Sequence, residues 1–215
     1  DFDFLLTFNS FQRKKYFYFS DTLYHMVLGL RSPVHQVGFL ISCGYFLATK
    51  KFFAANEFRA VDVEYVTQKL GLPDVLVNLQ EYNDRTRQKH QQTILKYYGY
   101  QAFSSQAKAF LNEEINIMVR SQLKPRLIFW RCIDLLIREK VQLPGCFTLT
   151  DLITAVINRR KDQLVNIIQQ QLSSEAKQAL EALFEQTPVF GEQHPGATSA
   201  YRLTLLKKLS QSARP

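Results

Sequence analysis

Cysteine, glycine, proline and methionine are all scarce in this 215-residue chain, and each shortage removes a class of protein. The three cysteines, Cys43, Cys132 and Cys146, are odd in number, widely spaced and outside any CxxC arrangement. That pattern speaks against a disulfide framework or a zinc site and for buried thiols in a reducing compartment. Eight glycines and seven prolines, set against 17 Phe and 10 Tyr, leave no room for collagen-like or low-complexity readings. No apolar run reaches membrane-spanning length: the longest, residues 37–48, is followed by Lys50 and Lys51. Asp1 and Asp3 stand where a signal peptide would carry basic residues. The only methionines are Met26 and Met118, and the sequence stops at Ala213-Arg214-Pro215, so the expectation is a piece of a longer protein.

Catalytic signatures are missing as well. The histidines His25, His35, His90 and His194 show no HExxH or other metal-ligand spacing, and there is no GxSxG elbow, phosphate-binding GxxxxGK[ST] loop or GxGxxG fingerprint. Glu113 and Glu114 are adjacent carboxylates, but neighbours on a helix diverge by about 100° and cannot easily share a substrate. No catalytic residue, metal site or cofactor is therefore expected within these residues.

What is present suits a folded, basic, helical protein. Hydrophobic residues make up 46% and charged residues 21%, which argues against disorder. Lys and Arg outnumber Asp and Glu by 27 to 19, and the resulting +8 favours polyanionic partners. The surplus has no single home: residues 1–110 and residues 111–215 each carry +4.

Apolar periodicity predicts helices nearly throughout, hence an all-α, multi-helical fold. Ser10 is placed to cap a short helix reaching Phe19, and Ser20 a second one carrying Leu23, Val27 and Leu30. After the Arg31-Ser32-Pro33 break, residues 34–49 form a strongly apolar helix, the expected centre of a first bundle. Val63, Val66 and Leu70, then Gly71-Leu72-Pro73, then Val75, Leu79 and Tyr82 read as a helix–turn–helix-like element, or equally as any tight helical hairpin. Further helices are expected over residues 108–121, and from Pro125 onward, carrying Leu127, Trp130, Ile133, Leu136 and Ile137. A long helix over about 149–172 follows, with Thr148 and Asp151 as a capping box and a seam of Leu149, Leu152, Val156, Leu164, Ile168 and Leu172. The next begins at Ser173 or Ser174, carries Leu180, Leu183 and Phe184, and stops at Pro188; a loop over 187–198 leads to a short helix over 201–209. Two helical subdomains are expected, 1–102 and 103–215.

Segment 83–100, NDRTRQKHQQTILKYYGY, holds the most chemistry. On a helix, Arg85, Lys89, Gln92 and Lys96 fall within roughly 60° of arc. Cations so spaced can track a phosphate backbone, and a glutamine amide can read adenine edges. A solvated helix face is the plainer explanation of the same stripe. Arg87, His90, Ile94, Tyr97 and Tyr98 lie on the opposite, mainly apolar side. Arg13-Lys14-Lys15 and Arg159-Arg160-Lys161 are consecutive and fan around their helices, while Lys50, Lys51, Lys124 and Arg126 sit at helix boundaries, where they can cap exposed carbonyls.

Several stretches, in order, resemble the N-terminal region of the large transposases of Tn-three-type replicative transposons, a bacterial family. They are FNSFQRKKYFYFS, GFLISCGYFLATKKFF, VTQKLGLP with EYNDRTRQKHQQTILKYYGYQAF, IDLLIREKVQLPG, and FTLTDLITAVINRRKDQLVNIIQQQLSSEAKQALEALF. The resemblance covers nearly the whole chain, with RTRQKH before ILKYYGY and LPG before the long helix its most specific pieces. It implies recognition of terminal inverted repeats in double-stranded DNA. It also implies that strands are cut and joined elsewhere, by a distant RNase-H-like domain whose acidic triad binds divalent metal. The remaining domains of the same transposase are implied partners, with a dimer one option; the implied location is the bacterial cytoplasm at the nucleoid, away from membranes. The expected DNA-contacting residues are Arg85, Lys89, Gln92 and Lys96 first, then Arg159, Arg160 and Lys161, then Arg13 and Lys14. Arg87 and His90 match the family run and are assigned either to structure or to DNA. The rival reading is a helical protein–protein or dimerisation module whose charge only solubilises it.

Overall fold

The structure, a computed structural model, describes residue 2 and residues 5–73 and 77–185. Among them the regular structure is helical: α1 (Ser10–Tyr16), α2 (Asp21–Leu28), α3 (Pro33–Thr49), α4 (Ala60–Lys69), α5 (Asp84–Tyr98), α6 (Ser105–Arg120), α7 (Pro125–Arg138), α8 (Cys146–Gln171) and α9 (Ser174–Glu185). The one β-type pairing among these residues is an isolated bridge between Gln101 and Val141. The fold is all-α, as the periodicity predicts. Val75, Pro188, His194, the predicted loop over 187–198 and the predicted helix over 201–209 lie outside the described residues, as do the side chains of Leu180, Leu183 and Phe184.

The chain divides into two compact units, Asp1–Gln163 and Leu164–Pro215. The first holds two separate apolar cores. One is drawn from residues 5–95 and centred on α3, whose Val34, Val37, Phe39, Leu40, Ile41, Cys43, Tyr45 and Phe46 are all buried. A helix apolar on every side can only be the middle of a bundle. Its glycines let aromatic rings close on it: a Cβ at Gly38 would lie 2.8 Å from the Tyr82 ring, and one at Gly44 would clash with the Cδ1–Cε1 edge of the Phe17 ring. The other core comprises Ala107, Leu111 and Ile115 of α6, Ile128, Cys132, Ile133 and Leu136 of α7, Val141 and Leu143, and Leu149, Ile153 and Val156 of α8. Burial pushes the Cys43 thiol well up and the Cys132 thiol up to about 12, so both are packing groups and not nucleophiles.

Helix boundaries follow local chemistry, and several elements depart from the sequence expectation. Ser20 and Ser32 cap α2 and α3 as expected. The cap of α1, however, is Asn9, which forms a reciprocal capping box with Gln12, and α1 ends at Tyr16 because Phe17 turns inward to full burial. The helix–turn–helix-like pattern is not continued as an α-helix at Leu79: Leu79–Glu81 is a 3-10 turn capped by Asn78, and the next α-helix starts only at Asp84, where Asn83 offers a better cap. Thr148 and Asp151 lie inside α8, which begins at Cys146 directly after Gly145; the Thr150 hydroxyl bonds back to the Cys146 carbonyl. Finally, Leu127, Trp130 and Ile137 point away from the core of α7, since the buried set Ile128, Cys132 and Leu136 defines the opposite face. In the second unit, Leu164 and Ile168 are likewise exposed and do not continue the seam of Leu149 and Val156.

Candidate nucleic-acid interface

Helix α5 presents the basic stripe. Asn83 starts it by accepting the Thr86 backbone N–H at 2.9 Å, and Gly99 ends it in the left-handed region at φ 68°, a conformation glycine adopts without a Cβ clash. His90, Ile94 and Leu95 are buried and orient the helix, which turns Arg85, Lys89, Gln92 and Lys96 together to the outside. Arg85 to Lys96 spans roughly 16 Å at the helical rise, with no acidic residue between them. Among the described residues none of Arg85, Lys89 and Lys96 is held in an ion pair, in contrast to Arg13, Arg87 and Arg138. Gln88 and Thr93 widen the exposed face on either side of the stripe. Sequence reasoning passed over both, although a wider arc on the same helical wheel contains them. Tyr97, placed by the periodicity on the apolar side, is partly exposed, and its hydroxyl lies 2.7 Å from Ser20 Oγ.

Arg87 and His90 turn away from the stripe, toward the protein. Arg87 Nη2 pairs with Asp84 Oδ1 at 2.9 Å, one turn earlier on α5, while its Nε is buried without a hydrogen-bond partner among the described residues. His90 is buried against the Phe39 and His35 rings with Nδ1 2.8 Å from the Tyr82 hydroxyl. Burial, with the neighbouring His35 adding to it, pulls the His90 pKa down to about 4, so the ring is neutral and offers no charge to a phosphate.

Arg13 is committed inward as well. Its Nε meets Asp62 Oδ1 at 2.7 Å and its Nη2 donates to the Phe8 carbonyl at 3.0 Å. The Asp62 side chain is wholly buried, and Tyr45 donates to its other oxygen at 3.0 Å while accepting the Arg59 backbone N–H at 3.1 Å. Lys14, next to Arg13, is exposed. On α8, Arg159 and Lys161 are exposed and Arg160 is half-buried, so the three do not share one face. Lys50 caps as expected, its Nζ donating to the Leu47 carbonyl at 2.8 Å near the end of α3.

Of the expected DNA contacts, then, only the four of α5 form one continuous exposed stripe. Among the described residues no group of three or more His, Cys, Asp or Glu side chains is placed to hold a metal ion, and no helix is long and apolar enough to cross a membrane. A family model described as "Domain of unknown function (DUF4158)" matches residues 2–156, well over half of the sequence. The chain belongs to the DUF4158 family. The DUF4158 domain takes in α1 to α7 and the start of α8, so the α5 stripe lies inside it and Arg159, Arg160 and Lys161 lie beyond it.

Proposed function

We propose that this chain is the end-recognition portion of a Tn-three-type transposase and binds terminal inverted repeats in duplex DNA. The observation that carries the reading is the α5 face: three cations without an ion-pair partner among the described residues and a glutamine in one line, uninterrupted by acid, on a helix anchored by its buried side. Its setting in a DUF4158 domain supports the reading, since that domain is found at the N-terminus of such transposases. Arg85, Lys89 and Lys96 neutralise phosphates and fix the register, while Gln92 is the side chain able to read a base edge in a major groove. Arg159, Lys161 and Lys14 add sequence-independent phosphate contacts. Strand cutting and joining, with its divalent metal, belongs to another part of the same transposase, and the setting is the bacterial cytoplasm at the nucleoid.

A second reading, a protein–protein module, draws on Leu127 and Trp130 of α7, both about half exposed. Titrating the chain with a terminal-repeat duplex and a scrambled duplex at two salt concentrations separates the two. End recognition predicts tighter binding to the terminal repeat by about tenfold or more, with affinity for both duplexes falling as salt rises. Equal affinity for the two duplexes, or no binding to either, overturns it.

A further inference from the structure

Backbone hydrogen bonds join the two cores of the first unit at their connecting segments. Gln101 donates its N–H to the Lys140 carbonyl and accepts from Gln142, both at 2.8 Å, and Leu143 donates to the Lys50 carbonyl at 3.0 Å. All three are backbone bonds between connecting segments. Phe2 adds a side-chain contact to them. Its ring packs against the second core, edge-on to Phe129 of α7 with centroids 5.2 Å apart. Lys51, which follows α3 of the first core, places Nζ 3.2 Å from the centre of the same ring and donates to the Phe2 carbonyl at 2.7 Å. Lys51 is only 6% exposed. A buried ammonium needs acceptors around it, and a desolvated cation over a ring is worth more than one in water. Leu5 and Phe8, a few residues further along, are buried in the first core, and the Leu5 carbonyl accepts from Arg59 Nη2 at 2.7 Å.

We propose that Phe2 is a latch: seated between Lys51 of the first core and Phe129 of the second, it holds the two cores of the DUF4158 domain in one orientation. Phe2 is thereby a positioning residue for DNA recognition. Helix α5 ends at Tyr98, three residues before the Gln101 junction, so the orientation set there fixes where the α5 stripe stands relative to α6, α7 and the start of α8. The DNA part of this proposal rests on the end-recognition reading; the latch itself does not.

Two variants in the full chain test it, Phe2→Leu, which keeps apolar bulk without a π face, and Phe2→Tyr, which keeps the ring. Amide hydrogen exchange at Gln101, Gln142 and Leu143 reads the junction without DNA. Exchange there speeds up about tenfold in Phe2→Leu relative to amides inside α3, and Phe2→Tyr restores the slow rate. Unchanged exchange in Phe2→Leu, or equal acceleration in both variants, overturns the latch. Affinities are then compared for the whole terminal repeat and for a duplex carrying half of it. Phe2→Leu weakens binding to the whole repeat about tenfold and leaves the half-repeat within about twofold, because only the long site requires two cores in register. An equal change on both duplexes overturns the positioning role while leaving the latch to the exchange result. Failure of the unsubstituted chain to bind either duplex overturns end recognition and the positioning role together, and the exchange result still decides the latch.

Discussion

Replacing Arg13 by methionine destabilises the fold by about 3 kcal/mol, a loss of roughly 10 °C in Tm, without changing how binding to DNA depends on salt. The Asp62 carboxylate is wholly buried and its strongest partner is the Arg13 guanidinium at 2.7 Å. Methionine fills most of the space of the arginine stem but leaves that carboxylate with the Tyr45 hydroxyl as its remaining side-chain partner. An uncompensated buried charge is costly, and the Phe8 carbonyl loses its donor in the same substitution. The double variant Arg13→Met/Asp62→Asn should recover more than about 1 kcal/mol, since removing the charge removes most of the penalty. Thermal unfolding of the two variants measures this coupling. A phosphate contact by Arg13 would give the opposite pattern: an unchanged Tm and a salt slope shallower by about 0.9. That outcome would return Arg13 to the DNA interface, where the sequence alone had placed it as a third choice.

Gly44→Ala is expected to cost about 2–3 kcal/mol net, measured by chemical denaturation. Helix propensity alone says the reverse, because alanine in the middle of a helix is favoured over glycine by about 1 kcal/mol. Sterics decide the sign. The new methyl would clash with the edge of the Phe17 ring. Phe17 is fully buried and boxed by the rings of Phe8, Phe19, Tyr45 and Tyr65. Shrinking the obstructing side chain should relieve the strain, so Gly44→Ala/Phe17→Leu is expected to be more stable than the sum of its single variants predicts. A neutral or stabilising Gly44→Ala would mean that α3 and the segment after α1 do not pack as closely as described.

Apolar periodicity was enough to read the helices and the central place of α3, because a continuous apolar run bounded by Ser32-Pro33 and Lys50-Lys51 has few other uses. It failed where two local signals compete. Thr148 has capping chemistry, yet the chain enters α8 two residues earlier, and Leu79 has helical spacing, yet Asn78 and Asn83 impose a 3-10 turn and a fresh start. The α5 stripe was legible because arc on a helix depends only on sequence spacing. The fates of the other cations were not. Arg13 and Asp62 are 49 residues apart in sequence, and only the tertiary fold shows that they are one ion pair. Nor could spacing say that the apolar side of α7 carrying Trp130 and Leu127 faces outward, since both faces of that helix hold large apolar residues.

The central claim is that the α5 stripe touches phosphates, and the salt dependence of the Lys89→Ala/Lys96→Ala variant tests it most directly. Both side chains are exposed and neither is ion-paired among the described residues, so the variant should fold with an unchanged Tm. Loss of two phosphate contacts predicts weaker binding to terminal-repeat and scrambled duplexes alike, with the slope of log affinity against log salt shallower by about 1.8. A folded variant whose affinity and slope match those of the unsubstituted chain would contradict the account and place α5 outside the interface.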